Sequence, residues 1–152
     1  MDMSILTKKV VLVGDSGVGK STLVRRALTG EFEPNYKPTL GVEVTPIVRG
    51  HPPQRFNVWE CAGDPRYAGL GDGYYVQAHI AIVMYDSDAL SSRVDWVTRV
   101  ERMCPDIPIV ECVVDRSSPN ELEHNLTPND IFHLNLATGE GVDELFDYLL
   151  TL

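Results

Sequence analysis

The order of hydrophobic and polar positions switches repeatedly between a strand pattern and a helix pattern. Short β-branched or fully apolar runs are typical of strands, and they alternate with segments whose apolar residues recur every three or four positions, as on one side of a helix. Because parallel strands need a crossover connection, this alternation predicts a parallel sheet with helices on both faces. The predicted strands are 8–13, 42–48, 55–60, 80–86, 107–114 and 132–136, and the predicted helices are 20–28, 93–103 and 142–150.

The second and third predicted strands are joined through Gly50, His51, Pro52 and Pro53, which is typical of a hairpin turn. One strand should therefore lie antiparallel at an edge of the sheet. The length of 152 residues fits one domain. We therefore predict a single α/β domain over 1–152, with a mostly parallel six-stranded sheet and one antiparallel edge strand.

Within the helices, the apolar side chains that recur at helical spacing lie on one side. In the first helix these are Leu23, Ala27 and Leu28, and in the helix over 93–103 they are Val94, Val97 and Val100.

The segment "GDSGVGKS" at 14–21 fits the phosphate-loop pattern G-x-x-x-x-G-K-[ST] and lies between a predicted strand and a predicted helix. In such a loop, main-chain N–H groups and a helix N-terminus converge on phosphate oxygens. Lys20 is predicted to reach the β- and γ-phosphates and Ser21 to ligate magnesium. The predicted nucleotide-binding residues here are Ser16, Gly17, Val18, Gly19, Lys20, Ser21 and Thr22.

Three further segments, "GEFEPNYKPTLGVEV", "FNVWECAG" and "GLGDGYYVQAHIAIVMYD", resemble the first switch, third strand and second switch of a Ras-superfamily small GTPase of the Ran or Rab type. The similarity runs from about Lys8 to Ile109 and resumes at "TGEGVDELF". It implies a mononucleotide-binding domain whose cofactors are GTP or GDP and Mg²⁺.

The resemblance also implies roles for single residues. Thr39 would ligate magnesium and touch the γ-phosphate, and the N–H of Gly63 would sense that phosphate. Phe32 would stack on the purine, although packing of this aromatic side chain on the first helix is an equal alternative.

The third-strand motif departs from the family's "WDTAGQ", because this chain has "WECAGD". Glu60 takes the place of the aspartate that holds a magnesium-bound water, and its extra methylene should shift the metal's ligands. Asp64 takes the place of the glutamine that positions the attacking water, and its negative charge should repel the transition state. This degenerate catalytic site, with Lys20, predicts weak hydrolysis. Alternatively, Asp64 turns to solvent and a partner supplies the missing group.

The base-reading motif Asn-Lys-x-Asp of the family is also altered. Without a gap its four positions become Val114, Asp115, Arg116 and Ser117; with a two-residue deletion, Asp115 alone is retained. We prefer the gapless register, since the deletion would draw the strand end back by roughly 6–7 Å. In either register Asp115 is the one candidate base reader.

The second base-reading segment, "NLATGEGVDELF", is similar to the family's "SAKTGEGVEELF". The main-chain N–H groups of Leu136 and Ala137 would still meet the guanine carbonyl, because backbone donors survive a change of side chain. The lysine that covers the base is replaced by Ala137. The region between the fifth and sixth strands is also shortened, with a helix start predicted at "SPNE" (118–121). We therefore expect reduced guanine selectivity.

The net charge of −9 disfavours nucleic acid and anionic membrane as partners. Arg116 is the last basic residue, and the following segment is acidic. This segment predicts either a protein effector or larger assembly with a basic surface, or simply a solvated face. No membrane-anchor signal is recognisable, and the three cysteines have no metal-binding spacing. A cytoplasmic location, with the nucleus as an alternative, is expected.

Three functions remain open: a slow small GTPase switch, a pseudo-GTPase acting as an interaction module, and a small nucleotide kinase. The kinase ranks last because no segment resembles an acceptor site or an arginine-rich lid. Of the first two functions, the switch is an enzyme and the interaction module is not. We favour a nucleotide-binding protein with weak or absent hydrolysis.

Overall fold

The computed structural model describes residues 5–31, 42–61, 72–114 and 131–152. Ten elements follow one another along these parts of the chain. They are β1 (Leu6–Gly14), α1 (Lys20–Thr29), β2 (Val42–Arg49), β3 (Gln54–Cys61), α2 (Asp72–Tyr75), β4 (Ile80–Asp86), α3 (Leu90–Met103), β5 (Ile109–Val114), β6 (Ile131–Leu134) and α4 (Val142–Leu149).

The six strands form one sheet in the order β2-β3-β1-β4-β5-β6. The β2 strand pairs antiparallel with β3 at the edge, and the other neighbouring strands pair in parallel. This arrangement confirms the predicted mostly parallel sheet with one antiparallel edge strand. The turn at 50–53 joins β2 to β3, so the predicted hairpin is also confirmed.

Helices cover both faces of the sheet, as predicted. On one face, α1 and α4 pack over the even-numbered residues of β1, β3, β4 and β5, and the large buried side chains there include Phe56 and Phe146. On the other face, Val100 of α3 and the tyrosines Tyr74 and Tyr75 of α2 pack over Val11 and Val13 of β1. β4 is buried from Ile80 to Tyr85, because it lies in the middle of the sheet and is covered on both sides.

Not all of the apolar residues at helical spacing face the core. In α1 the buried side chains are Lys20, Leu23, Val24 and Ala27, whereas Leu28 is 52% exposed. In α3 only Val100 is fully buried, and Val94 is 54% exposed. The helical spacing was correct, but the core-facing stripe is rotated, because its direction depends on where the helix sits on the sheet.

Two strand ends differ from the prediction. β5 begins at Ile109 rather than at 107, since the preceding Pro108 has no N–H for the ladder and only its carbonyl accepts a bond, from Ala81. β6 ends at Leu134, so Leu136 lies in the following turn.

Candidate functional site

The phosphate loop follows directly from β1, one of the two central strands of the sheet, and leads into α1. Gly19 is the last residue before the helix and has φ of 114°, a backbone conformation that side-chain-bearing residues rarely adopt. Ser16 and Gly17 are exposed, whereas the side chain of Val18 is buried in the core and its N–H donates to Asp15 O at 3.2 Å. The loop is therefore anchored by Val18 and open to solvent at 16–17.

The N-terminus of α1 has no side-chain cap. The N–H of Leu23 donates to the carbonyl of Gly19 at 2.8 Å, which closes the first turn. The N–H groups of Lys20, Ser21 and Thr22 precede this bond and point, as in every helix, toward the N-terminal end and hence toward the loop. A helix start of this kind favours bound anions.

Lys20 is almost completely buried, with 4% of its surface exposed. Its ammonium group donates hydrogen bonds to the carbonyls of Gly14 at 2.7 Å and Asp15 at 2.9 Å. Burying a charged group is unfavourable unless it is hydrogen-bonded, and these carbonyls supply that compensation. They hold the cation within the loop.

Ser21 and Glu60, two of the predicted metal-site residues, lie next to each other although they are far apart in sequence. The Ser21 hydroxyl donates to Glu60 Oε2 at 2.7 Å. Glu60, on β3, is 2% exposed and lies in register with Leu12 of β1. The longer carboxylate side chain thus reaches the helix start directly. Among the described residues no group of three or more carboxylate, histidine or cysteine side chains forms a metal cluster.

Residues 135–141, called here the base loop, connect β6 to α4. Asn135 Oδ1 accepts hydrogen bonds from the N–H groups of Ala137 and Thr138, each at 3.1 Å. The strand-like bridge between Asn135 and Glu140 closes the loop. The N–H of Ala137, one of the two predicted base contacts, is therefore engaged inside the loop, and Leu136 supplies the neighbouring N–H.

Two contacts tie the base loop to its surroundings. Arg26 of α1 donates from Nη2 to Thr138 O at 2.8 Å. Leu136 is buried and packs against the phosphate loop. Its Cδ1 lies so close to Gly19 that a Cβ placed on this glycine would be only 2.6 Å away. No pattern in the sequence predicts the Arg26 contact.

Two further contacts at the site were also missed from the sequence. The indole of Trp96, on α3, donates to Asp15 Oδ1 at 2.9 Å. The hydroxyl of Tyr74, on α2, donates to Leu12 O at 3.0 Å and also contacts Trp59 O, which ties the segment resembling the second switch to the sheet. These contacts form only through the tertiary fold, so no motif marks them.

Five predicted site residues, Phe32, Thr39, Gly63, Asp64 and Asp115, lie outside the described residues. Their roles stay predictions, as does the helix start at 118–121. No helix in the described parts of the chain is long and apolar enough to cross a membrane.

Comparison with known families now bears on this site. The family model described as "Roc: Ras of Complex, Roc, domain of DAPkinase" matches residues 9–117. The match spans the phosphate loop and the chain from β1 through β5, which is well over half of the sequence. Together with the fold, it identifies a GTPase-like nucleotide-binding domain. The chain belongs to the Roc family of the Ras-like GTPase superfamily.

Proposed function

We propose that this domain binds GTP and GDP with Mg²⁺, hydrolyses GTP weakly or not at all, and selects guanine less strictly than Ran- or Rab-type GTPases, whose motifs its sequence resembles. The observation that carries the proposal is the hydrogen bond between Ser21 and the buried Glu60 at 2.7 Å, together with the buried side chain of the neighbouring Lys20. These groups combine a cation and hard oxygen ligands at a helix N-terminus.

The phosphate end of the nucleotide would occupy the loop. Apart from that of Val18, which bonds Asp15 O, the N–H groups over 16–22 would donate to phosphate oxygens, and Lys20 would contact the β- and γ-phosphates. Ser21 would ligate Mg²⁺ directly and Glu60 through a water, since oxygen ligands suit this metal. Thr39 and Gly63 are predicted to complete the contacts around the γ-phosphate.

The base end is expected to bind weakly. Asn135 already accepts the N–H of Ala137, which leaves Leu136 to donate to a purine carbonyl. A single backbone donor can favour a carbonyl over an amino group, but only modestly. Phe32 and Asp115 are the remaining predicted base contacts. The affinity should therefore come mainly from phosphate and magnesium.

Weak hydrolysis follows from two substitutions. Asp64 places a negative charge where the family has the water-positioning glutamine, and the catalytic effect in this superfamily is mostly positioning and electrostatic stabilisation. Glu60 differs from the family's aspartate by one methylene, which should displace the metal's water ligand.

The proposal is tested by denaturing the purified protein and identifying any released nucleotide by chromatography, followed by titration of the emptied protein with GDP and Mg²⁺. We expect guanine nucleotide. Lys20→Ala should abolish binding, because it removes the cation that reaches the phosphates. Arg102→Ala, which removes an exposed cation of α3, is the matched control and should bind as the wild type does. Wild-type affinity in folded Lys20→Ala would contradict the phosphate-site assignment.

The second candidate is a pseudo-GTPase that serves as an interaction module. The bonds from Lys20 to the carbonyls of Gly14 and Asp15 favour it, because they stabilise the loop with groups of the chain itself. Absence of released nucleotide and of any binding in titration would support this candidate. Release of adenine nucleotide would instead favour a nucleotide kinase.

We further propose a basic protein effector or assembly as the partner, in the cytoplasm or nucleus. Glu140 of the base loop and Asp143, Glu144 and Asp147 of α4 are exposed acids. Such a complex should weaken as salt is raised, because exposed charges are screened. Charge reversal by Glu144→Lys with Asp147→Lys should weaken it without changing nucleotide binding.

A further inference from the structure

We propose that Arg26 is a positioning residue that fixes the base loop relative to the phosphate loop, so that Arg26 controls the affinity for a nucleoside phosphate but not for the phosphate chain alone. This inference rests on the proposed nucleotide binding.

The Arg26 guanidinium contacts the base loop at its tip. Nη2 donates to Thr138 O at 2.8 Å, and the same group lies over Gly139. A Cβ on Gly139 would lie 2.6 Å from Nη2 and 2.8 Å from Nε, so the backbone approaches the guanidinium as closely as a glycine allows. The contact fills the space between α1 and the loop.

A second contact holds the other side of the loop. The Leu136 side chain is 8% exposed and lies against Gly19 at the start of α1. The N–H of Leu136, the proposed base donor, thus belongs to the residue that contacts Gly19, two positions before the Arg26 contact at Thr138. The loop is fixed at two points to the element that forms the phosphate site.

The contacts of Arg26 and Leu136 affect a different property of the base loop than the hydrogen bonds inside it. Asn135 Oδ1 sets the shape of the loop through Ala137 and Thr138. Arg26 and Leu136 set its distance from the phosphate loop. A nucleotide spans both loops, and a donor held in place beforehand binds more tightly because less ordering is needed on binding. Inorganic phosphates contact only one loop, so their binding should not depend on Arg26.

The test compares two Mg²⁺-bound ligands, GDP and inorganic tripolyphosphate, by displacement of a fluorescent GDP analogue from the full chain. For Arg26→Ala we expect about tenfold weaker GDP binding, the effect of losing one charge-assisted hydrogen bond. Binding of tripolyphosphate should be unchanged. Arg26→Lys should bind GDP more tightly than Arg26→Ala but less tightly than the wild type, since the ammonium of the introduced lysine can still donate to Thr138 O. Arg25→Ala, on the same helix, is the matched control.

The outcomes separate the two proposals. If the wild type binds neither ligand, the proposed nucleotide binding fails, and this inference with it. If the wild type binds GDP but Arg26→Ala weakens both ligands equally, or neither, the positioning role alone is wrong. Arg26→Gln, a neutral variant of similar length, provides the same comparison if Arg26→Ala does not fold, and it too should lose affinity for GDP selectively.

Discussion

The indole N–H of Trp96 and the carboxylate of Asp15 form a hydrogen bond of 2.9 Å that connects α3 to the phosphate loop. Asp15 is exposed, and its own carbonyl accepts a bond from Lys20. One residue of the loop is therefore in contact with both the buried cation and a fluorescent side chain on a neighbouring helix.

Binding of a phosphate ligand should therefore change the fluorescence of Trp96, because rearrangement around Asp15 alters the charge beside the indole. The chain has two tryptophans, and Trp59 lies on β3 under the ammonium of Lys9. Titration with GDP and Mg²⁺ should change the emission of Trp59→Phe as in the wild type. The change should be largely absent from Trp96→Phe; if it persists there undiminished, the contact does not report on the loop.

Asp64→Gln should accelerate GTP hydrolysis, because it would remove the negative charge that the family resemblance predicts beside the phosphates and would restore a side chain that can orient water. Combining it with Glu60→Asp should raise the rate further by shortening the metal-side carboxylate. The measurement is phosphate release from preloaded GTP in a single turnover. The wild type should be slower than the roughly once per hour expected of an unassisted small GTPase. An unchanged rate in Asp64→Gln would exclude the role assigned to Asp64.

Gly141→Ala should destabilise the fold more than Gly30→Ala, although both glycines have positive φ, 89° and 77° respectively. A Cβ at Gly141 would lie 2.2 Å from the carbonyl oxygen of His133, whereas nothing lies within 4 Å at Gly30. We expect a loss of about 1 kcal/mol in the free energy of unfolding for Gly30→Ala, from backbone strain alone, and at least ~2 kcal/mol for Gly141→Ala. Urea unfolding measures both, and equal losses would contradict the predicted clash.

The stability of the domain should fall in alkali partly through Tyr85. Burial, and then the negative charge of Glu111, raise the pKa of Tyr85 from 10.0 to about 12. The folded state thus keeps the phenolic proton at a pH where the unfolded chain has lost it, so the free energy of unfolding decreases as the pH rises from about 10 to about 12.

Tyr85→Phe should show a smaller decrease over that interval, measured by urea unfolding at a series of pH values. Burial also raises the pKa of the Cys112 thiol above its ordinary value. In both proteins this thiol therefore lowers the free energy of unfolding as well, beginning at a lower pH than Tyr85 does. An identical pH dependence in Tyr85→Phe and the wild type would show that Tyr85 does not contribute.

The helices, the strands and the phosphate loop were predictable because they depend on the pattern of residues close together in sequence. The apolar run of β4 fits a strand covered on both faces, and the "GKS" segment needs only a preceding strand and a following helix. The contacts of Arg26, Trp96 and Tyr74 were not predictable, because each joins residues far apart in sequence whose approach depends on how helices are placed on the sheet. The same cause explains why Val24 rather than Leu28 faces the core.

The central position of β1 has a consequence for how the domain folds during synthesis. Of the strands in this sheet it is synthesised first, yet its neighbours are β3 and β4, and the latter ends only at Asp86. The core beneath α1 also stays incomplete until Leu145, Phe146 and Leu149 of the last helix have emerged. Because such distant pairings are slow to form, the nascent chain should expose the apolar residues of β1 to chaperones until the last helix of the domain has been synthesised.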